Sequence, residues 1–101
     1  MNRRTVAFTS AARDQLNAAK AWWVENQRPV AVLVDEIENA IRLLAVMPGA
    51  GSLYSEAGIA DLRRLYLRRT SSHVYYTFTQ DAVTIRAFWH ARRGYGPFRP
   101  D

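Results

Sequence analysis

The stretch from Leu62 to Arg93 most constrains what this chain can fold into. It contains three short β-type runs: Leu62 to Arg69, His73 to Thr79, and Val83 to Arg93. Thr70-Ser71-Ser72 and Gln80-Asp81 separate them. Short β-type runs joined by tight polar breaks predict a three-stranded antiparallel meander. Side chains alternate across a strand, so each run can be sorted by face. Leu65 and Leu67 fall on one side, with Arg64, Tyr66 and Arg68 on the other. Val74, Tyr76 and Phe78 oppose His73, Tyr75 and Thr77. Val83, Ile85, Ala87 and Trp89 oppose Thr84, Arg86, Phe88 and His90. One face is apolar and the other carries Arg, Tyr and His.

The same stretch holds most of the positive charge. Arg63 to Arg99 contains eight arginines against the single acid Asp81, a net +7. Residues 1–62 carry six bases and seven acids, so they are close to neutral. A basic surface of this kind points to an acidic partner, either nucleic acid or an acidic protein. Thirteen of the fourteen bases are Arg, which suits bidentate contact with phosphate or carboxylate; Lys20 is the exception.

Before the meander the periodicity changes. Thr5 to Thr9 alternates as a short strand. Thr9 or Ser10 can cap a following helix, with Asp14 in its first turn. Ala12, Leu16, Ala19 and Trp23 form its apolar stripe, and it runs to about Gln27. Trp22 and Trp23 are adjacent and cannot point the same way on a helix. One belongs in the core, and the other is a candidate partner anchor. Arg28-Pro29 stops the helix, and Pro29 starts a second one. Its stripe is Val30, Leu33, Val34, Ile37, Ile41, Leu44 and Met47, with Asp35, Glu36, Glu38 and Arg42 off it. Pro48-Gly49 ends it. The short connection predicts an antiparallel helical hairpin lying on the apolar face of the sheet. Ala50 to Asp61 reads as a loop, and the Gly- and Pro-rich tail from Gly94 is irregular. The expected class is α+β: an N-terminal strand, a helical hairpin and a three-stranded meander, in one domain spanning residues 1–101.

Several function classes drop out. With no cysteine, disulfide and thiol chemistry are excluded. His73 and His90 are the two histidines, and no cysteine or carboxylate cluster accompanies them, so no metal site is expected. No glycine pattern marks a phosphate loop, and no cofactor is expected. No apolar run has transmembrane length, and no signal-peptide core follows Met1-Asn2-Arg3-Arg4. A cytoplasmic protein is expected.

The remaining chemistry has two readings. His90 ends the last strand, with Arg92, Arg93 and Tyr95 just beyond. Such a set can cleave RNA, with His as general acid or base and Arg stabilising the phosphorane. His90 can equally be a structural residue at a strand end. Arg64, Tyr66, Arg68 and Arg86 are candidates for a phosphate-facing or acid-facing patch, or an ordinary solvated sheet face. Tyr66, Tyr75 and Phe88 can stack bases or cover the sheet.

The order of elements, with particular pieces, resembles the RelE/ParE superfamily of bacterial type II toxins, on its ParE-like branch. Val6 to Thr9 leading into Ala12 and Leu16 is similar to that family's opening. Ile37, Ala40, Leu44, Pro48 and Gly51 match its second helix and exit. Leu62 to Leu65, Val74 to Tyr76 and Val83 to Ile85, followed by Phe88 to Arg93, resemble the ParE-type ending. The resemblance implies a toxin neutralised by a cognate antitoxin whose C-terminal segment wraps it. On the ParE-like reading the target is DNA gyrase, growth stops, and no catalytic residue is needed. The target- or antitoxin-binding candidates are then Arg64, Tyr66, Arg68, Arg86, Arg92 and Arg93. On the RelE-like alternative the chain is a ribosome-dependent mRNA endoribonuclease, with Glu56, Arg68, Arg69, His90 and Tyr95 as its residues. The ParE-like reading is preferred because Lys is absent from the second half and Ala91 stands where related nucleases carry Tyr.

Overall fold

The computed structural model describes residues 3–92 and 96–98. Its elements are β1 (Thr5–Phe8), α1 (Ser10–Glu25), α2 (Val30–Val46), a 3-10 turn (Pro48–Ala50), β2 (Ser52–Leu53), β3 (Arg63–Leu67), β4 (Ser72–Phe78) and β5 (Ala82–His90). They form an α+β fold with one five-stranded sheet in the order β1-β5-β4-β3-β2. β1 runs parallel to β5, and the other pairs are antiparallel.

Local chemistry sets the helix ends. Thr9 caps α1, its hydroxyl oxygen accepting the Ala12 N–H at 3.1 Å. Asp14 lies one turn further in than expected; the first turn of α1 contains no acid. At the other end Gln27 adopts φ 55°. Its N–H bonds Val24 O at 3.1 Å, and the Arg28 N–H bonds Trp23 O at 2.8 Å. These two bonds make a Schellman closure, in which the left-handed residue usually is glycine. Pro29 then occupies the N-cap of α2. At its far end Met47 precedes Pro48 and leaves the helical region.

The helices cover one face of the sheet. Ala12 and Leu16 of α1 and Leu33, Ile37, Ala40 and Leu44 of α2 pack with Leu67, Val74, Tyr76, Val83, Ile85 and Phe88. Of the expected stripe of α2, Met47 is exposed, whereas Glu36, assigned to the polar side, is buried.

The pairing of β4 with β5 slips at Arg86. Tyr76 faces Ile85 and Tyr75 faces Ala87, so Arg86 is an extra residue in β5. Such a bulge reverses the side-chain alternation beyond it. Strict alternation had put Ala87 and Trp89 toward the helices and Phe88 and His90 away from them. Instead Phe88 joins the helix-side core, while Ala87 and Trp89 join a second cluster on the far face. The β1–α1 junction accommodates this slip. Thr9 N–H bonds Ile85 O at 2.9 Å, and the Gln15 carboxamide oxygen accepts the Phe88 N–H at 2.9 Å.

The segment after α2 is more ordered than a loop. Ser52 and Leu53 pair with Arg64 and Arg63, adding a fifth strand at the sheet edge. Arg63 donates through Nη1 to Gly51 O at 2.7 Å, which ties β3 to this segment.

Candidate functional site

The far face of the sheet is not the open basic surface that the strand pattern implied. Leu62, Tyr75 and Ala87 are buried there, covered by Tyr54, Ala57, Ile59, Trp89 and Phe98. Tyr75 meets Tyr54 edge-on at 5.2 Å between ring centroids and Phe98 at 5.3 Å. His73 lies 6.0 Å from Tyr75 and 5.2 Å from Tyr66. Edge and tilted contacts of this kind set the quadrupole of one ring against its neighbour. The Arg64 guanidinium sits 4.7 Å above the Tyr54 ring, a cation–π contact that holds it against the sheet. Burial, with the Arg64 charge nearby, pushes the His73 imidazole below its usual pKa of 6.5. Burial is also the main cause of the raised Tyr54 phenol pKa, joined by Tyr75 and a hydrogen bond with Glu56.

The second feature is a cleft of about 420 Å³ between α1 and the end of β5. Ala18, Ala19, Trp22 and Trp23 form one wall. Phe88, Trp89 and His90 form the other, with Gln15, Ser72 and the exposed Arg92 completing the lining. Trp23 packs against the core, whereas Trp22 is 49% exposed, so the two adjacent tryptophans divide as their spacing required. Arg28 lies 5.2 Å from the Trp22 ring. His90 Nδ1 accepts the Arg92 N–H at 3.1 Å.

Among the described residues, Glu56 and His90, two of those proposed for RNA cleavage, do not come together. His90 lines the α1 cleft on the helix side of the sheet, while Glu56 reaches Tyr54 on the far face. Arg69 is turned toward α2, where Nη1 contacts Asp35 Oδ2 at 2.8 Å. Arg68 is exposed beyond the end of β3. Of the binding candidates, Arg86 donates through Nε to Thr77 Oγ1 at 2.8 Å and is half-buried. Tyr66 is 50% exposed. Phe88 cannot stack an incoming base, because it is buried under α1. Arg93 and Tyr95 lie outside the described residues. Among the described residues no group of His, Asp and Glu is placed to hold a metal ion. None of the described helices is long and apolar enough to cross a membrane.

Strand alternation had placed His73 beside Tyr75 on the far face, but Tyr54, which joins that cluster from the segment between β2 and β3, was missed. The cleft wall, in contrast, had a signal: Gln15, Ala18, Ala19 and Trp22 repeat at helical spacing beside the core stripe.

Chains from three solved toxin–antitoxin systems share this fold. A chain of the chromosomal ParDE system of Pseudomonas aeruginosa superposes with a TM-score of 0.72 at 18% identity, covering 89% of this chain and 98% of that one. A chain of the RelBE2 toxin–antitoxin complex of Mycobacterium tuberculosis gives 0.61 at 23% identity, covering 87% and 98%. One from the E. coli DinJ–YafQ complex gives 0.63 at 8% identity, covering 93% and 99%. The class is therefore the compact α+β fold found in such complexes. No curated protein sequence matches the chain. Residues 6–95 match the model of the ParE toxin of the type II toxin–antitoxin system parDE, and the chain belongs to that family.

Proposed function

We propose that this ParE-family toxin acts in the cytoplasm by binding DNA gyrase, without catalysis of its own, and is silenced by a cognate antitoxin. The observation that carries the non-nuclease part is that His90 lines the α1 cleft while Glu56 bonds Tyr54 of the far-face cluster. A general acid and base serving one phosphodiester must both lie within hydrogen-bond reach of it. Arg69, already paired with Asp35, is no better placed to serve a scissile phosphate. Binding then rests on exposed side chains, with Tyr66, Arg68 and Arg92 as the foremost candidates. Arg64 and Arg86 are held against the sheet by Tyr54 and Thr77.

Expression of His90→Ala without antitoxin tests this reading. Undiminished growth arrest supports a binding toxin. Loss of arrest in a variant that still melts like wild type supports the RelE-like endoribonuclease.

A further inference from the structure

α2 is the acidic part of a basic chain. It carries Asp35, Glu36 and Glu38 against Arg42, while the rest of the chain holds thirteen bases and six acids. Glu36 turns inward to the Arg69-Thr70 turn, which leaves Asp35, Glu38 and Arg42 as the exposed charges of the helix. Its outer face is divided along its length. The N-terminal half is a shallow dish lined by Ala31, Val32, Val34, Asp35, Glu38 and Arg69. The C-terminal half carries Arg42 beside two apolar knobs, Leu43 at 37% and Met47 at 58% exposure. Asp35 and Arg42 lie about two turns apart on the same side of the helix. Arg42 leans on the Asn39 carboxamide and has no acidic partner among the described residues.

We propose that α2 pairs antiparallel with α2 of a second copy of this chain, about a twofold axis near Asn39. Reversing one helix end for end sets Arg42 against Asp35 and Glu38 of the other copy. It also lays Leu43 and Met47 over Ala31 and Val32 at the floor of the opposing dish. The twofold axis makes each of these contacts twice. Charge selects this occupant. The face holds an acid-rimmed hollow and a base with apolar knobs, so it is its own complement. The polar lining stays satisfied: Asp35 keeps its contact with Arg69, and Glu38 gains Arg42 of the other copy. Two basic surfaces of the chain brought together in any other way would set cations against cations. Nucleic acid would meet two carboxylates here, with Arg69 already paired to one of them. One helix pair covers less than the roughly 1,600 Å² of a standard interface, so the pairing is expected at tens of micromolar. α2 lies on the helix side of the sheet, so the pair keeps both far faces outward and presents the exposed Tyr66 twice.

The experiment is sedimentation equilibrium of the full chain from about 5 to about 200 μM, the range in which a small interface assembles. Arg42→Glu and Glu38→Arg are run separately and as an equimolar mixture, with Arg13→Glu as the same charge change on α1. The wild type should shift from monomer to dimer across the range. Arg42→Glu alone and Glu38→Arg alone should each raise the dimer Kd at least tenfold, because each sets like charges together at both contacts. Their mixture should return to within about threefold of wild type, since each altered residue then faces the opposite charge. That rescue is a result that a folding defect would not give. Arg13→Glu should behave as wild type. A wild type that stays monomeric throughout overturns the proposal. So does a dimer that neither single variant weakens, or a mixture that fails to recover. If the wild type stays monomeric while both variants weaken binding of the product of the adjacent gene, the face belongs to the antitoxin and the proposal fails.

Discussion

Glu36 and Thr70 are joined by two hydrogen bonds across 34 residues of sequence. Glu36 Oε1 accepts the Thr70 hydroxyl at 2.6 Å and the Thr70 N–H at 3.0 Å, and Oε2 accepts the Arg69 N–H at 2.8 Å. Glu36 is 9% exposed, in the middle of α2. One carboxylate therefore holds the β3–β4 turn against the helix, including Ser71 at φ 52°. Glu36→Ala leaves buried donors unmatched and should cost about 2–4 kcal/mol. Glu36→Gln keeps one acceptor but turns an amide toward a donor, so it should cost about half as much. Urea unfolding measures both, and a loss under about 0.5 kcal/mol for Glu36→Ala would show the clasp to be unimportant.

The Tyr76 hydroxyl donates to Pro48 O at 2.7 Å and accepts the Gly51 N–H at 2.9 Å. It locks the exit of α2 to the central strand β4. Tyr76→Phe should cost about 1–3 kcal/mol, because both partners stay buried and lose their bond. Gly51→Ala should be at least as damaging for a different reason. A methyl there would lie 2.8 Å from both Arg64 O and Tyr76 Oη. A melting temperature equal to wild type in either variant would contradict this account.

Gln27 closes α1 in the left-handed region. A side chain costs roughly 1 kcal/mol there, partly offset by the greater freedom glycine has when unfolded. Gln27→Gly should therefore stabilise the chain by roughly 0.5 kcal/mol, read as a higher urea midpoint with an unchanged slope. A lower midpoint would refute the closure.

His73 makes stability depend on pH. Its folded pKa lies below the unfolded 6.5 because of burial and the Arg64 charge. As pH falls through 6.5 the unfolded imidazole takes up a proton that the folded one refuses, so stability declines. The decline levels off below the folded pKa. His73→Gln should have a flatter stability profile between about pH 7.5 and about pH 5 than wild type. Equal slopes for the two proteins would exclude His73 as the cause.

Much of this fold was legible because local signals and tertiary packing agree. Thr9, the apolar stripes, Pro29 and Pro48-Gly49 place both helices, and the three β-runs place the meander. What escaped depends on contacts distant in sequence. The Arg86 bulge is supported by Thr9 and Gln15, so Phe88 and Ala87 exchange faces against strict alternation. Glu36 reads as a surface acid until the Arg69-Thr70 turn folds over it. Ser52-Leu53 is too short to announce a strand. The site was legible only in part for the same reason. The RelE-like grouping of Glu56 with His90 spans the sheet, with Glu56 beside Tyr54 on the far face and His90 on the helix side, whereas the division of labour between Trp22 and Trp23 follows from helical geometry alone.

The central claim is that this toxin disables gyrase by binding it. The most direct measurement is supercoiling of relaxed plasmid by purified gyrase with the toxin added, with and without the antitoxin. Inhibition or accumulation of cleaved DNA, reversed by antitoxin and retained by His90→Ala, is the expected result. Unimpaired supercoiling, together with mRNA cleavage on translating ribosomes that His90→Ala abolishes, would contradict it.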